Sequence, residues 1–336
     1  MKKIILGAMA LMIGAIGFAQ LNNSTVNQTG VDLTSSVNQD GFSNTAIQDQ
    51  VGDLMWVTIK QVGGNNYAKQ NQVGDPRYNS NNIMNIDQNG NNNDARQKQD
   101  WTVDANAYAK QVGSKNFSSQ IQTGSWSDIA DVRQNGIENK AYQTQTHTSA
   151  RAYIVQENYN NKATQNQLTG KYNYAYAKQT GQRNVSTQTQ NGTGFHPFPN
   201  DYNKVYVYQY GNGNNAYQDQ DTKVSDQLSN TPGGNYSYIM QELSSTRGIA
   251  QQRQYGNEDK ARIIQKGGTE NRGYQTQDID SFNADARLMQ NGSFNKSWQN
   301  QTGTDMTSIV NQTGTSHVSH TTQSGMSNTT NVTQTN

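Results

Sequence analysis

Residues 39–61 read QDGFSNTAIQDQVGDLMWVTIKQ. Counting back by twos from Gln50 gives Gln48, Ala46 and Asn44, and counting back from Gln61 gives Ile59 and Val57. Side chains two apart share one face of a strand, so each half predicts a strand of about seven residues with four side chains facing inward. An amphipathic helix would need apolar spacings of three and four, which do not occur. Gly41-Phe-Ser-Asn44 between the halves supplies the backbone freedom of a tight reversal.

The same arrangement fills the chain. Gln followed two residues later by Gly recurs at Gln28, Gln39, Gln50, Gln61 and Gln72, and again at Gln301, Gln312 and Gln323. Alignment on that Gln gives 26 units, most of them 11 or 12 residues apart, ending at Gln334. One class is polar inside: Asn44, Ala46, Gln48, Gln50; Asn66, Ala68, Gln70, Gln72; Asn93, Ala95, Gln97, Gln99; Asn139, Ala141, Gln143, Gln145. The other carries apolar residues before its Gln: Val57, Ile59, Gln61; Met84, Ile86, Gln88; Ala130, Val132, Gln134. The classes alternate from Gln48 to Gln299, so the true repeat is a pair, present 13 times. Periodicity of this kind predicts an all-β, cross-β solenoid of two strands per turn, with about 13 turns of about 22–24 residues. At ~4.8 Å per turn the column is expected to be on the order of 60 Å long.

Gln and Asn can sit inside such a column only if their amides bond to identical amides one turn away. Gln39, Gln61, Gln88 and Gln134, with the polar-class residues above, are the expected ladder, and Gly41, Gly63, Gly90, Gly113 and Gly136 the expected turn glycines. Turns after the apolar strand span 11 residues in ten of twelve cases. The large insertions, near 74–82, 192–203 (with Pro197 and Pro199) and 221–235 (with Pro232), all fall on the other edge, as loops of a solenoid do.

Composition agrees. At 31% hydrophobic residues the chain is too polar for a conventional core, yet a net charge of +1, only 4 Pro and as many as 18 Tyr argue against disorder. Near-neutral charge gives no electrostatic footprint for nucleic acid. With no Cys, neither disulfides nor thiolate metal sites are available. Lys2 and Lys3 precede an apolar run, Ile4 to Phe18, and Gly17-Phe18-Ala19 offers a small-x-small site. Residues 1–19 therefore read as a secretory signal peptide, leaving 20–336 as the solenoid. No later segment is apolar enough to span a membrane as a helix. The repeat begins at Asn22, Ser24, Val26, Gln28 and closes at Asn328, Thr330, Val332, Gln334. The first strand has the polar phase and the last the apolar phase, so a second copy added head to tail continues the alternation, and a heterologous contact that does not close builds a filament.

The segment Gln39-Asp-Gly41-Phe-Ser-Asn44-Thr-Ala46-Ile-Gln48-Asp-Gln50 resembles the curlin repeat of bacterial curli subunits, and Gln61–Gln72, Gln88–Gln99 and Gln134–Gln145 match it nearly as well. The resemblance covers essentially the whole chain after the leader. It implies a secreted functional amyloid at the bacterial cell surface that serves biofilm matrix and adhesion. It also implies a homopolymer, a nucleator subunit and outer-membrane export machinery as partners. The family's leading Ser is mostly Asn, Ala or Asp here (Asn203, Ala150, Asp259), and only Gln20 and Leu21 separate the expected cleavage site from the repeats.

Catalytic, cofactor and metal sites are not expected. His147 and His196 fall in turns or insertions, and His317 and His320, three apart on a strand, point to opposite faces. Asp49, Asp87 and Asp128 read as solvating charges. No phosphate-binding loop is present, because the glycines sit at strand turns and not before helices. A row of Tyr lies on the outer face of apolar-class strands: Tyr108, Tyr153, Tyr176, Tyr206 and Tyr238. It reads either as a stripe for adhesion or bundling or as cross-strand packing that stabilises the sheet. Besides the fibre subunit, two readings stand: a monomeric solenoid acting as adhesin, nucleator or ligand-binding surface, and a polysaccharide-degrading enzyme. An ice-binding surface needs regular outward Thr rows, and an enzyme needs clustered carboxylates in a cleft; neither pattern is visible.

Overall fold

The computed structural model describes residues 21–75, 77–78, 80–146, 148–192, 202–222 and 234–336. The expected leader at 1–19, His147 and His196 lie outside them, as do most of the insertions at 192–203 and 221–235.

Every regular element in the described residues is a strand, and all the strands join in one continuous parallel β-solenoid of about 13 turns. The first two strands, β1 (Asn23–Phe42) and β2 (Thr45–Gly64), each run through a whole turn and pair along their length, from Asn23 opposite Thr45 to Phe42 opposite Gly64. From β3 (Tyr67–Gly74) to β24 (Thr329–Thr335) each strand forms half a turn; β3 and the next strand pair with the two halves of β2, and from there on each strand pairs with the one two places along. The ladder Gln aligns with the ladder Gln at every step, as Gln156 does with Gln134 and with Gln179. A shift of one residue would turn the amides and Ala side chains out to water, which is why the register is so uniform.

A narrow apolar column shares the interior with the amides, in two successive stretches: Ala46, Ile59 and Ala68 to Ala109, then Val132 and Ala141 to Val310. Val57, Met84 and Ala107 form a smaller group beside the first stretch. Small Ala on the polar-class strands lets the opposing sheet bring Ile, Val or Leu close. Gly273 takes the Ala position on one strand, where an added Cβ would lie 2.5 Å from Leu288 Cδ2. An added methyl there would require the end of the Leu288 side chain to shift.

The turns hold a feature the sequence did not reveal. The residue just before each inward corner has left-handed backbone at almost every reversal, whatever its identity: Ser43 (φ 53°), Leu54 (52°), Lys115 (56°), Glu138 (60°), Arg183 (55°). The conformation costs about 1 kcal/mol or more for a residue with a Cβ, so the surrounding ladder, and not local preference, holds it.

Insertions leave the stack intact. Gln72 and Gln99 are 27 residues apart and Gln220 and Gln254 are 34 apart, yet both pairs keep their amide bonds, at 2.7 and 2.8 Å.

Candidate assembly faces and surface rows

Three amide ladders run through the core. One connects Gln28 to Gln323 through Gln50, Gln72, Gln99, Gln122 and Gln145, with N···O distances from 2.7 to 3.2 Å. The second connects Gln39 to Gln334 through Gln61, Gln88, Gln111 and Gln134, at 2.7 to 3.0 Å. The third links Gln48, Gln70, Gln97, Gln120 and Gln143 and ends at Gln299. The third stops short because Val26 and Thr321 hold its place in the first and last turns.

All three ladders point the same way. Each Nε2 donates toward the later turn and each Oε1 accepts from the earlier one. The direction is fixed by the second hydrogen of nearly every amide, Gln28 and Gln72 excepted, which goes to a main-chain carbonyl: Gln61 to Thr45 O at 3.0 Å, Gln134 to Phe117 O at 2.9 Å. Flipping an amide would set its oxygen against that carbonyl. The column is therefore polar, and its two ends differ. In the first turn Gln28 and Gln39 present Oε1 atoms that no donor among the described residues reaches. In the last, Gln334 Nε2 donates only to Val318 O, at 2.9 Å, and keeps one hydrogen unspent.

A fourth ladder lines one corner. Asn44, Asn66, Asn93, Asn116, Asn139, Asn161, Asn184 and Asn214 are buried there, and the main-chain N–H of each donates to Oδ1 of the Asn one turn earlier, at 3.0–3.1 Å from Asn66 onward. Their Nδ2 atoms reach turn carbonyls of the next turn, as Asn44 does to Gly63 O at 3.0 Å and Asn66 to Gly90 O at 2.7 Å. The expected turn glycines build this edge. Gly41, Gly63, Gly90, Gly113 and Gly136 have φ between 109° and 142°, and a Cβ on any of them would lie about 2 Å from the carbonyl oxygen of the turn above. The opposite corner is mixed: Met55, Asn82, Ala105, Asp128, Ala150, Asn173, Asn203, Asn235, Asp259, Ala284 and Met306. All the large insertions enter there, where no continuous corner ladder has to close.

Asp128 departs from its expected role as a solvating charge, since it is fully buried at that mixed corner. Its Oδ1 accepts from Ala150 N at 2.8 Å, and burial pushes the carboxyl up to about 7. Asp259, also buried, likewise accepts from Ala284 N at 3.0 Å, and burial raises it to about 7. Its Oδ2 meets Ser281 Oγ, which lies 2.6 Å from the Asp278 carbonyl. One hydroxyl hydrogen cannot serve both acceptors. The neutral acid resolves this, with Asp259 Oδ2–H donating to Ser281 Oγ and Ser281 Oγ–H to Asp278 O. Both acids thus stand where Asn82, Asn203 and Asn235 stand in other turns, and in neutral form they offer the same acceptor-plus-donor set.

The tyrosine row is real but differently composed. Tyr153, Tyr176, Tyr206 and Tyr238 align in register on β10 (Arg151–Tyr159), β12 (Tyr174–Gln182), β14 (Lys204–Gln209) and β16 (Tyr236–Gln241). Their rings do not stack straight up the column. They zigzag through Tyr174, Tyr208 and Tyr236, which sequence reading missed: Tyr153–Tyr174–Tyr206–Tyr236 at 5.4–5.6 Å and Tyr176–Tyr208–Tyr238 at 5.5–5.6 Å. Tyr108 stands apart, separated by Asp131, which takes the equivalent place in the turn between. Desolvation within the zigzag pushes the Tyr174 and Tyr208 hydroxyls up to about 12. The other sheet carries a second zigzag, in which Arg96 lies over Tyr67 and Phe117, Phe117 meets Tyr142, and Lys162 lies over Tyr142. Only the first row was read from the sequence, and then only as outward aromatics, because diagonal partners differ in strand position as well as in turn.

His320 stacks on Trp298 on the outer face, with ring centroids 4.3 Å apart, while His317 occupies the Asn corner. Among the described residues no group of three His, Asp or Glu side chains is placed to hold a metal ion, and no helix is long and apolar enough to cross a membrane. No model of a known protein family and no curated protein sequence matches the chain.

Proposed function

We propose that this chain is a secreted, non-enzymatic structural subunit that stacks head to tail into an extracellular fibre of the curli type, serving cell-surface adhesion and biofilm matrix. The observation that carries the reading is the shared direction of the amide ladders. One end presents Gln28 and Gln39 as acceptors and the other presents Gln334 as a donor, so head-to-tail contact continues the sense of the ladders that reach the ends, and head-to-head contact opposes like groups. The end strands are also in opposite phases, and open strand edges invite pairing with another chain. The curlin-like repeat supports the same reading, and secretion follows from the leader at 1–19.

The test is assembly of the purified chain from Gln20 onward, followed by electron microscopy and fibre diffraction. Fibres with a meridional reflection near ~4.7–4.8 Å are expected. A soluble monomer that keeps its β-sheet signal for days overturns the reading. The half-exposed tyrosine zigzag favours the second reading in that case, a monomeric surface solenoid that binds through this face.

A further inference from the structure

The tyrosine zigzag sets phenols against phenols across consecutive turns. Its two rows, Tyr153–Tyr174–Tyr206–Tyr236 and Tyr176–Tyr208–Tyr238, make five ring contacts, at 5.4–5.6 Å between centroids and 35–40° between planes. Rings at that separation are packed against one another, and the soft χ2 torsion of Tyr lets one Cε swing toward the next. All seven side chains are partly exposed, so a small oxidant reaches them from solvent. Other outward tyrosines lack such partners. Tyr108 has Asn85 and Asp131 as its in-register neighbours, Tyr142 packs on Phe117, and Tyr274 packs on Trp298. Tyr172 and Tyr202, stacked at 5.1 Å and 12°, make one further pair. The two rows also span the part of the column that the sequence interrupts most. Tyr174 and Tyr206 are 32 residues apart and Tyr206 and Tyr236 are 30 apart, because the insertions at 192–203 and 221–235 lie between them. No Cys is available to tie those loops.

We propose that the zigzag is a site of oxidative phenol coupling, which ties β10, β12, β14 and β16 together through Cε–Cε bonds between tyrosines of successive turns. The reagent is a peroxide-driven one-electron oxidant. It takes one electron from each of two neighbouring rings, and each Oη proton passes to solvent. The two phenoxyl radicals carry spin at Cε and join there. Each joined carbon then releases its hydrogen and each oxygen regains one, through water, which restores both phenols. Two tyrosines thus lose two electrons and two protons in all, and one hydrogen peroxide takes them up and becomes two waters. Rings already in contact meet far more often than rings of separate molecules, so the bonds form within one column, whether or not columns join into fibres. A bond from Tyr174 to Tyr206, or from Tyr206 to Tyr236, closes an insertion-bearing loop and restricts the unfolded chain, as a disulfide does.

Treatment of dilute wild-type chain with hydrogen peroxide and a haem peroxidase tests this, read by biphenol fluorescence and by peptide mass spectrometry after unfolding and digestion. Joined peptides carrying the five zigzag pairs are expected, together with a denaturant midpoint above that of the untreated chain. Tyr108 and Tyr142, equally outward, are expected to stay uncoupled. The triple variant Tyr174→Phe, Tyr206→Phe, Tyr208→Phe keeps the rings but takes a phenol from all five contacts. With circular dichroism confirming its fold, its zigzag products and its midpoint rise are expected to vanish, while a Tyr172–Tyr202 product is unaffected. Should the variant not fold, the wild-type peptide map decides alone. Bonds scattered over all tyrosines, bonds only between chains, or no biphenol at all overturn the site. A midpoint rise that survives in the triple variant overturns the role of these bonds in tying the turns.

Discussion

Gln61 Nε2 donates to Gln88 Oε1 at 2.8 Å although 27 residues separate them, where Gln39 reaches Gln61 over 22 at the same distance. The ladder therefore sets the spacing between turns, and extra chain is expelled at the mixed corner. Closing a somewhat longer loop costs only a few tenths of a kcal/mol, whereas an orphaned buried amide costs about 1–3 kcal/mol. The amide penalty outweighs the loop penalty, so the ladder fixes the register.

Interrupting a ladder in mid-column should be costly. Gln134 donates to Gln156 and to Phe117 O and accepts from Gln111, so Gln134→Ala deprives the Gln111 amide of its acceptor and Gln156 Oε1 and Phe117 O of a donor, and opens a void. A loss of about 2–4 kcal/mol is expected, read by denaturant unfolding of soluble chain. Gln28→Ala, in the exposed first turn, should cost under about 1 kcal/mol. Equal costs would contradict the ladder account.

The turn glycines can be tested by contrast. A Cβ on Gly63 would meet the Gly90 carbonyl oxygen at 2.1 Å and its carbon at 2.8 Å, whereas around Gly124 nothing lies within 4 Å. Gly63→Ala must push adjacent turns apart and should cost about 3 kcal/mol or block folding. Gly124→Ala keeps only the left-handed backbone cost of about 1–2 kcal/mol. Thermal melts of the two variants decide the matter.

The buried acids give a pH dependence of definite sign. Asp128 and Asp259 titrate at about 7 in the fold, above the ordinary carboxyl value of about 3.9 in the unfolded chain. Between those values the folded state binds more protons, so their contribution to stability falls as pH rises from about 4 to about 7 and is level beyond. Asp259→Asn supplies the donor permanently, through Nδ2–H to Ser281 Oγ. It should stabilise by about 1–3 kcal/mol at pH 8 and change little at pH 4. Destabilisation at pH 8 would show that the carboxylate form is the one the corner accepts.

The tyrosine zigzag is expected to appear in an alkaline spectrophotometric titration. Tyr174 and Tyr208, pushed up to about 12 by desolvation, should ionise well after the exposed phenols, and stability should decline as pH climbs from about 10 toward 12. Tyr206→Ala, which removes a ring lying between Tyr174 and Tyr236, should cost about 1–3 kcal/mol. Tyr108→Ala, outside the zigzag, should cost less. A single phenol transition near 10 would refute the packing role.

The sequence by itself determined the strand period, the pairing of polar and apolar half-turns, the ladder residues and the edge that takes insertions. It could do so because a parallel in-register stack repeats one residue type at one spacing, and the spacing survives in the chain. Tertiary structure alone decided features whose identity varies from turn to turn. The left-handed residue is Ser43 at one reversal and Leu54 or Arg183 at others, because the stack and not the side chain imposes it. Asp128 looked like a surface charge until its corner closed over it, and the diagonal contacts of Tyr174 and Tyr208 depend on how rings lean between turns. The direction of the ladders also belongs to the fold. A Gln has no preferred sense until a facing carbonyl takes one of its hydrogens, and from that choice the two ends of the column become different.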